Sequence, residues 1–265
     1  MIIRKSAQEI ESMARAGDLV SETHVLVGQA IRVGVTTAEL DDIAEQHIRS
    51  RGGTPTFKGY RGYPASICAS PNGMVVHGIP GPYALREGDI LSVDIGVTLG
   101  GFVSDCAYTF PVGAIAPEAQ RLLDVCQQAL VAGVAECRPG NRLSDIGHAV
   151  QTVTEAAGFG VIRTLVGHGV GRSMHEDPQI PNFGAPGRGP ILAEGMVFAV
   201  EPMITVGSHE VVLHDDEWSI SSEDGSLAAH FEHTVAITSA GPRILTRHPQ
   251  PTRARPVEEP ASRAG

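Results

Sequence analysis

Two stretches of this chain repeat each other. LREGDILSVD (85–94) recurs as LAEGMVFAVE (192–201), a leucine, then Glu-Gly, an apolar run and a carboxylate, displaced by 201 − 94 = 107 positions. Upstream, Gly34, Leu40 and Gly52 are matched by Gly140, Ile146 and Gly158, displaced by 140 − 34 = 106. Two matches at nearly one offset describe a duplicated α/β half. The period is too long for a solenoid unit and fits two pseudo-symmetric halves. A length of 265 residues sits at the upper end of what one hydrophobic core serves, so one large domain and two fused halves are both open.

Ser6-Ala7-Gln8-Glu9 has the capping-box form, and Ile10, Met13, Leu19 and Val20 follow in helical rhythm. Thr36-Thr37-Ala38-Glu39 opens a second helix with Leu40, Ile43, Ala44 and His47 on one face, stopping at Gly52-Gly53. Pro117 suits the first turn of a long helix through Leu122, Cys126, Leu130 and Val134, ended by Pro139-Gly140. Another helix is expected from about Ser144 to Ala157, stopped at Gly158. Between them lie strand-like runs, Ile90–Val93 and Val197–Val200 among them.

Each repeat ends its apolar strand on an acid, Asp94 in one and Glu201 in the other. Asp105 falls beyond a Gly100-Gly101 turn, as in a hairpin, and Glu232 lies in the strand-like HFEHTVAIT. Four acids on buried strands repel unless some stay protonated or a cation meets them. Two divalent cations would neutralise all four, with His168 supplying a nitrogen. The alternatives are ordinary: strand-end acids often cap turns in solvent, and a histidine is more often structural than a ligand. In GHGVGRSMHEDP (167–178), the glycines around His168 could form an anion loop. The G-x-G-x-x-G spacing, the following Lys-Ser/Thr and a helix start are absent, so close backbone approach explains them better.

The net charge of −10 excludes general binding to DNA or acidic membranes. Arg4, Lys5, Glu9 and Glu11 interrupt any secretory apolar core at the N-terminus, and no run approaches the roughly 18 apolar residues of a membrane helix. Cys68, Cys106, Cys126 and Cys137 form no C-x-x-C pair and read as reduced packing thiols. These features lead to the expectation of a cytoplasmic protein.

YPASICASPNGMVVHGIP, LSVDIGVTLGGFVSDCAYTF, GHGVGRSMHEDPQIPNF, MVFAVEPMI and FEHTVAIT, in this order and spacing, resemble the successive motifs of type I methionine aminopeptidases. The likeness runs from residue 1 to about 247. It implies the α/β (α+β) pita-bread fold: two pseudo-symmetric halves, about 1–113 and 114–247, with antiparallel sheets covered by helices around a dinuclear metal site. Residues 1–247 would form one catalytic domain, and the Pro-, Arg- and Glu-rich 248–265 a flexible tail.

By the same resemblance Asp94, Asp105, His168, Glu201 and Glu232 are the metal ligands of two divalent ions (cobalt, manganese, iron, zinc or nickel). Asp105 and Glu232 would bridge, Asp94 would hold one ion, and His168 and Glu201 the other. Glu201 would move the proton of the attacking water, His175 would hydrogen-bond the substrate carbonyl, and His77 would contact the peptide near the scissile bond. Tyr60, Tyr63, Cys68 and Trp218 fall at methionine-pocket positions, with Phe57 and Met174 nearby; for Trp218, the only tryptophan, plain core packing competes. The implied substrate is the N-terminal methionine of nascent polypeptides before a small second residue, met by a monomer in transient contact with the ribosome. A prolidase or aminopeptidase P is the nearest rival, though those usually carry an extra N-terminal domain for which this chain has no room. A non-catalytic binding relative stands further off, because all five ligands are present.

Overall fold

The computed structural model describes residues 1–247; the tail 248–265 lies outside the described residues. Helix α1 (Ala7–Ala30) begins as its sequence dictates, Ser6 accepting from Glu9 N while the Glu9 carboxylate accepts from Ser6 N. Helix α2 (Thr37–Ser50) repeats the box with Thr36 and Glu39. Helix α3 (Pro117–Ala135) takes proline at its start but ends before the expected Pro139-Gly140 stop. Asn141 reaches back to both the backbone and the carboxylate of Glu136 (3.1 and 2.7 Å), closing the turn early. Helix α4 spans Leu143–Ala156, and Gly158 leaves it with φ 81°.

The strands of the N-terminal part are β1 (Thr54–Pro55), β2 (Cys68–Pro71), β3 (Met74–Val76), β4 (Ile90–Leu99) and β5 (Phe102–Pro111). Those of the C-terminal part are β6 (Gly160–Val161), β7 (Gly167–Gly169), β8 (Glu176–Ile180), β9 (Val197–Val200), β10 (Met203–Thr205), β11 (Val211–Leu213), β12 (Ile220–Ser222), β13 (Ala228–His230), β14 (His233–Thr238) and β15 (Gly241–Ile244). The pairings among these strands are antiparallel. β4 is central to one sheet, between β1 and β2 along one edge and β5 along the other, while a second sheet has the order β15-β14-β9-β7-β8. Gly100 and Gly101, at φ 59° and 80°, turn β4 into β5 with the primed geometry of a tight hairpin.

The repeat reappears as structure. Helices α2 and α4 each have 14 residues, displaced by 143 − 37 = 106. An isolated antiparallel bridge joins Thr36 to Ala84 and another joins Arg142 to Ile191, displaced by 106 and 107. Helices α1 and α2 cover one core with Leu91, Val93 and Ile95, and α3 and α4 another with Phe198, Val200 and Val235. A third cluster, with Phe57, Tyr63, Cys68, Val170, Met174 and Val197, lies where the two meet.

Two strand expectations change. Asp94 does not end its strand: β4 runs on to Leu99 because it pairs through Asp94 with Cys68 on one side and Ala107 on the other. Glu232 is not within a strand. The chain leaves β13, paired with β10, and enters β14, paired with β9, so it changes sheets at Phe231-Glu232. Among the described residues, no helix is long and apolar enough to cross a membrane.

Candidate metal centre

Asp94 and Asp105 face the same way because the register sets them diagonally: Asp94 opposes Ala107, and Asp105 opposes Gly96. Glu232 is brought to them by the sheet change. Its N–H donates to Ala107 O (2.9 Å), and Thr234 Oγ1, two residues later in β14, donates to Asp105 O (2.8 Å) while accepting from Asp105 N (2.9 Å). His168 sits in β7 between two glycines whose neighbours explain them. A Cβ on Gly167 would lie 2.4 Å from Ala199 O, and one on Gly169 2.2 Å from Asp177 O. Close strand packing, with no helix following, replaces the anion-loop reading.

His168 Nδ1 lies 2.9 Å from Gly169 O. Donation to that carbonyl leaves Nε2 with a bare lone pair, 3.5 Å from Glu201 Oε1 and 3.8 Å from Asp105 Oδ2. Asp105, His168 and Glu232 each offer a ligand atom within 4.8 Å of the others. All five expected ligands line one cavity of about 200 Å³.

The electrostatics ask for cations. Burial raises the carboxyl of Asp94 to about 7. Burial, then Glu232 and Asp94, holds Asp105 far above the carboxylate range. Glu201 and Glu232 are raised by burial first and by the neighbouring acids second. Asp94 Oδ1, Asp105 Oδ1 and Glu232 Oε1 are buried without a hydrogen-bond partner. Orphaned oxygens of this kind carry a penalty that hard or borderline divalent ions remove, and four carboxylates with one imidazole suit such ions. The residues fit a dinuclear site.

The same cavity gathers His77, His175, Tyr60, Tyr63, Cys68, Trp218, Phe57 and Met174. Tyr60 Oη lies 2.8 Å from His175 Nδ1, and the two rings stack at 5.4 Å. Burial first, then the neighbouring His168, Arg61 and His77, pushes His175 down to about 3, so its ring is neutral. Burial likewise lowers His77. His77 has φ 59°, a left-handed conformation rare outside glycine. Tyr63 meets Trp218 edge-on at 5.1 Å. Trp218 is half-buried and faces the cavity, whereas Phe57, Cys68 and Met174 are buried.

Sequence reasoning missed Arg61, Val76, Leu165, Val166, Met203 and His230, which also line the cavity. His230 is buried, its Nε2 without a partner and 3.8 Å from Glu201 Oε2. Its place two positions before Glu232 was the available signal. Arg61 falls between Tyr60 and Tyr63, two of the expected pocket residues.

Comparison with known proteins agrees with this geometry. Residues 11–239 match the metallopeptidase family M24. The methionine aminopeptidase of Clostridium perfringens is 51% identical over 246 residues, which is 93% of this chain and 99% of that protein. Methionine aminopeptidase 1 of Bacillus subtilis is 49% identical over 93% of this chain and 100% of its own length. The crystal structure of the Thermotoga maritima methionine aminopeptidase superposes with a TM-score of 0.92 at 42% identity, over 93% of this chain and 100% of that one. A prolidase from Pyrococcus furiosus shares the fold alone, at TM-score 0.76 and 21% identity over 65% of its length. With buried acids, a buried imidazole beside them and near-complete relatives in agreement, the chain belongs to the metallopeptidase family M24, among its methionine aminopeptidases.

Proposed function

We propose that this protein removes the N-terminal methionine from newly made polypeptides whose second residue is small. The observation that carries the reading is the convergence of five buried ligand groups, three with orphaned oxygens, on one cavity that also holds apolar side chains. Asp94, Asp105, His168, Glu201 and Glu232 would hold two divalent ions, Asp105 and Glu232 serving both. Cobalt, manganese, iron, zinc and nickel all suit this donor set, and cellular supply decides among them. The ions, when bound, supply Lewis acidity and an acidified water for amide hydrolysis.

The chain's own groups do the rest. Glu201 accepts a proton from the attacking water and passes it toward the leaving amine. Tyr60 donates its hydroxyl proton to His175 Nδ1, which fixes the neutral ring with Nε2–H directed at the carbonyl oxygen. His77 contacts the peptide beside the scissile bond. Tyr63, Cys68 and Trp218, with Phe57 and Met174 beside them, enclose the thioether side chain in soft apolar surface. Residues 1–247 act as one catalytic domain of two halves, 1–113 and 114–247. The protein works as a monomer in the cytoplasm on chains emerging from the ribosome, in keeping with four unpaired, buried cysteines.

A peptidase assay on Met-Ala-Ser and Met-Leu-Ser, with and without added divalent ion, tests the reading. Release of methionine from the first and little from the second is expected, because the second residue must lie against the crowded wall by His77. Comparable kcat/KM on both would overturn it, and preferred cleavage of Xaa-Pro bonds would favour a prolidase-like activity.

A further inference from the structure

Arg61 is the one lysine or arginine among the residues lining the cavity. It is exposed, so it stands at the rim, whereas Asp105 and Glu232 are buried at the far end. The guanidinium lies over the face of Tyr60, 5.3 Å from the ring centroid. Tyr60 in turn stacks on and hydrogen-bonds to His175, and the charge of Arg61 is felt at the His175 ring. The described residues include no carboxylate within ion-pair distance of it.

The backbone here is also unusual. Arg61 has φ 49° and ψ 26°, between two glycines at φ 86° (Gly59) and 91° (Gly62). Left-handed glycines are ordinary; an arginine in that region is strained and points to a requirement for the side chain at this place. A glycine there would ease the turn and remove the cation.

Taking the methionine-peptidase reading as given, we infer that Arg61 forms a subsite for a carboxylate on the substrate beyond the scissile bond. The cavity is polarised, with acids at the depth and a cation at the rim, which matches a peptide entering amino terminus first. Its chain leaves past His175, and therefore past the Tyr60–Arg61 stack. The second residue is held against the wall by His77, so the third is the first whose side chain is free to meet the guanidinium. An aspartate or glutamate at the third position is the preferred class, and a lysine or arginine the disfavoured one. Arginine recognises a carboxylate by a two-pronged hydrogen bond that lysine does not offer.

The test compares Met-Ala-Glu-Gly and Met-Ala-Lys-Gly, both C-terminally amidated so that no other carboxylate competes. The wild-type protein should favour the glutamate peptide by about two- to fivefold in kcat/KM, as expected for an exposed charge pair. The preference should sit in KM and shrink as salt is raised. Arg61→Glu should invert the ratio and Arg61→Gln should bring it near unity. The ratio within each protein is the readout, so a change in overall activity does not enter. One ratio shared by all three proteins would overturn the subsite. If no protein releases methionine from either peptide, the peptidase reading falls first and takes the subsite with it.

Discussion

On the proposed reading, a hydroxyl proton donated by Tyr60 would set which nitrogen of His175 faces the substrate. A neutral imidazole carries one proton, and a hydroxyl donating to Nδ1 (2.8 Å) leaves that proton on Nε2. Replacing Tyr60 by Phe keeps the stacked ring and removes the tether; kcat is expected to fall about three- to tenfold, the worth of one ordinary hydrogen bond. His175→Ala removes the donor itself, and the loss should reach about 10²–10³ with two ions still bound, as read by steady-state kinetics beside metal analysis. Loss of an ion in His175→Ala would instead make it a ligand. The acids give a second residue-level expectation. Their raised pKa values, Asp94 at about 7 and the other three well above the ordinary carboxylate range, mean that the metal-free site holds protons near neutrality. Bound dications must expel them, so metal affinity should climb as pH rises through 7 and calorimetry should register proton release. For the metal-free fold the acids favour low pH: their contribution is full below about 4 and is lost as pH rises through the raised values. His175 and His230, both pushed down to about 3, act oppositely, their contribution being full above about 6.5 and lost as pH falls. Affinity is therefore the cleaner readout.

At the scale of elements, the loop that carries His175 is held by a group far away in sequence. Lys5 Nζ donates to Glu176 Oε2 at 2.7 Å, with the two side chains only 4% and 8% exposed. The other oxygen of Glu176 accepts from Arg172 N and Ser173 N (2.9 and 3.3 Å), and Lys5 N donates to Gly195 O (2.6 Å). Lys5→Met strands a buried carboxylate and should cost about 3–5 kcal/mol in urea unfolding. Adding Glu176→Gln removes the stranded charge but keeps an acceptor for the two amides, so most of that loss should return. Equal stability of the single and double variants would argue against a buried ion pair. This contact also marks where the sequence stops being legible. Helices α1 and α2 could be read because Ser6–Glu9 and Thr36–Glu39 act within four residues. The end of α3 could not, since Asn141 closes it from outside the helix. The two-residue strands β1 and β6 carry no period to detect. The four acids were legible through the duplication and the motif order. Arg61 was not, because only the tertiary placement of its side chain joins it to the cavity, and His230 offered no signal beyond its place two positions before Glu232.

The whole molecule is organised around a seam. Asp94 and Asp105 come from β4 and β5, while His168, Glu201 and Glu232 come from the later half of the chain. Hydrogen bonds already stitch the two: Thr234 with Asp105, Glu232 with Ala107, and Cys106 Sγ donating to Glu232 O at 2.9 Å. Yet the seam also concentrates buried acids, so without cations its polar part must either hold protons or bear mutual repulsion, and works against the apolar cluster of Phe57, Tyr63, Val170 and Met174 that joins the halves. Ions bound across it convert that repulsion into a cross-link present only in the folded chain. Each ion at a free concentration of 100 times its Kd should add about 2.7 kcal/mol. For a chain of this size that is a rise in Tm of about 5–11 °C per ion. Scanning calorimetry with a chelator and with a saturating divalent ion measures it directly. The transition should remain single in both states, because the stitching and the apolar cluster couple the halves even without metal. A Tm indifferent to metal would mean that the five groups do not hold ions, and two separating transitions on chelation would mean that the halves depend on metal alone for their union.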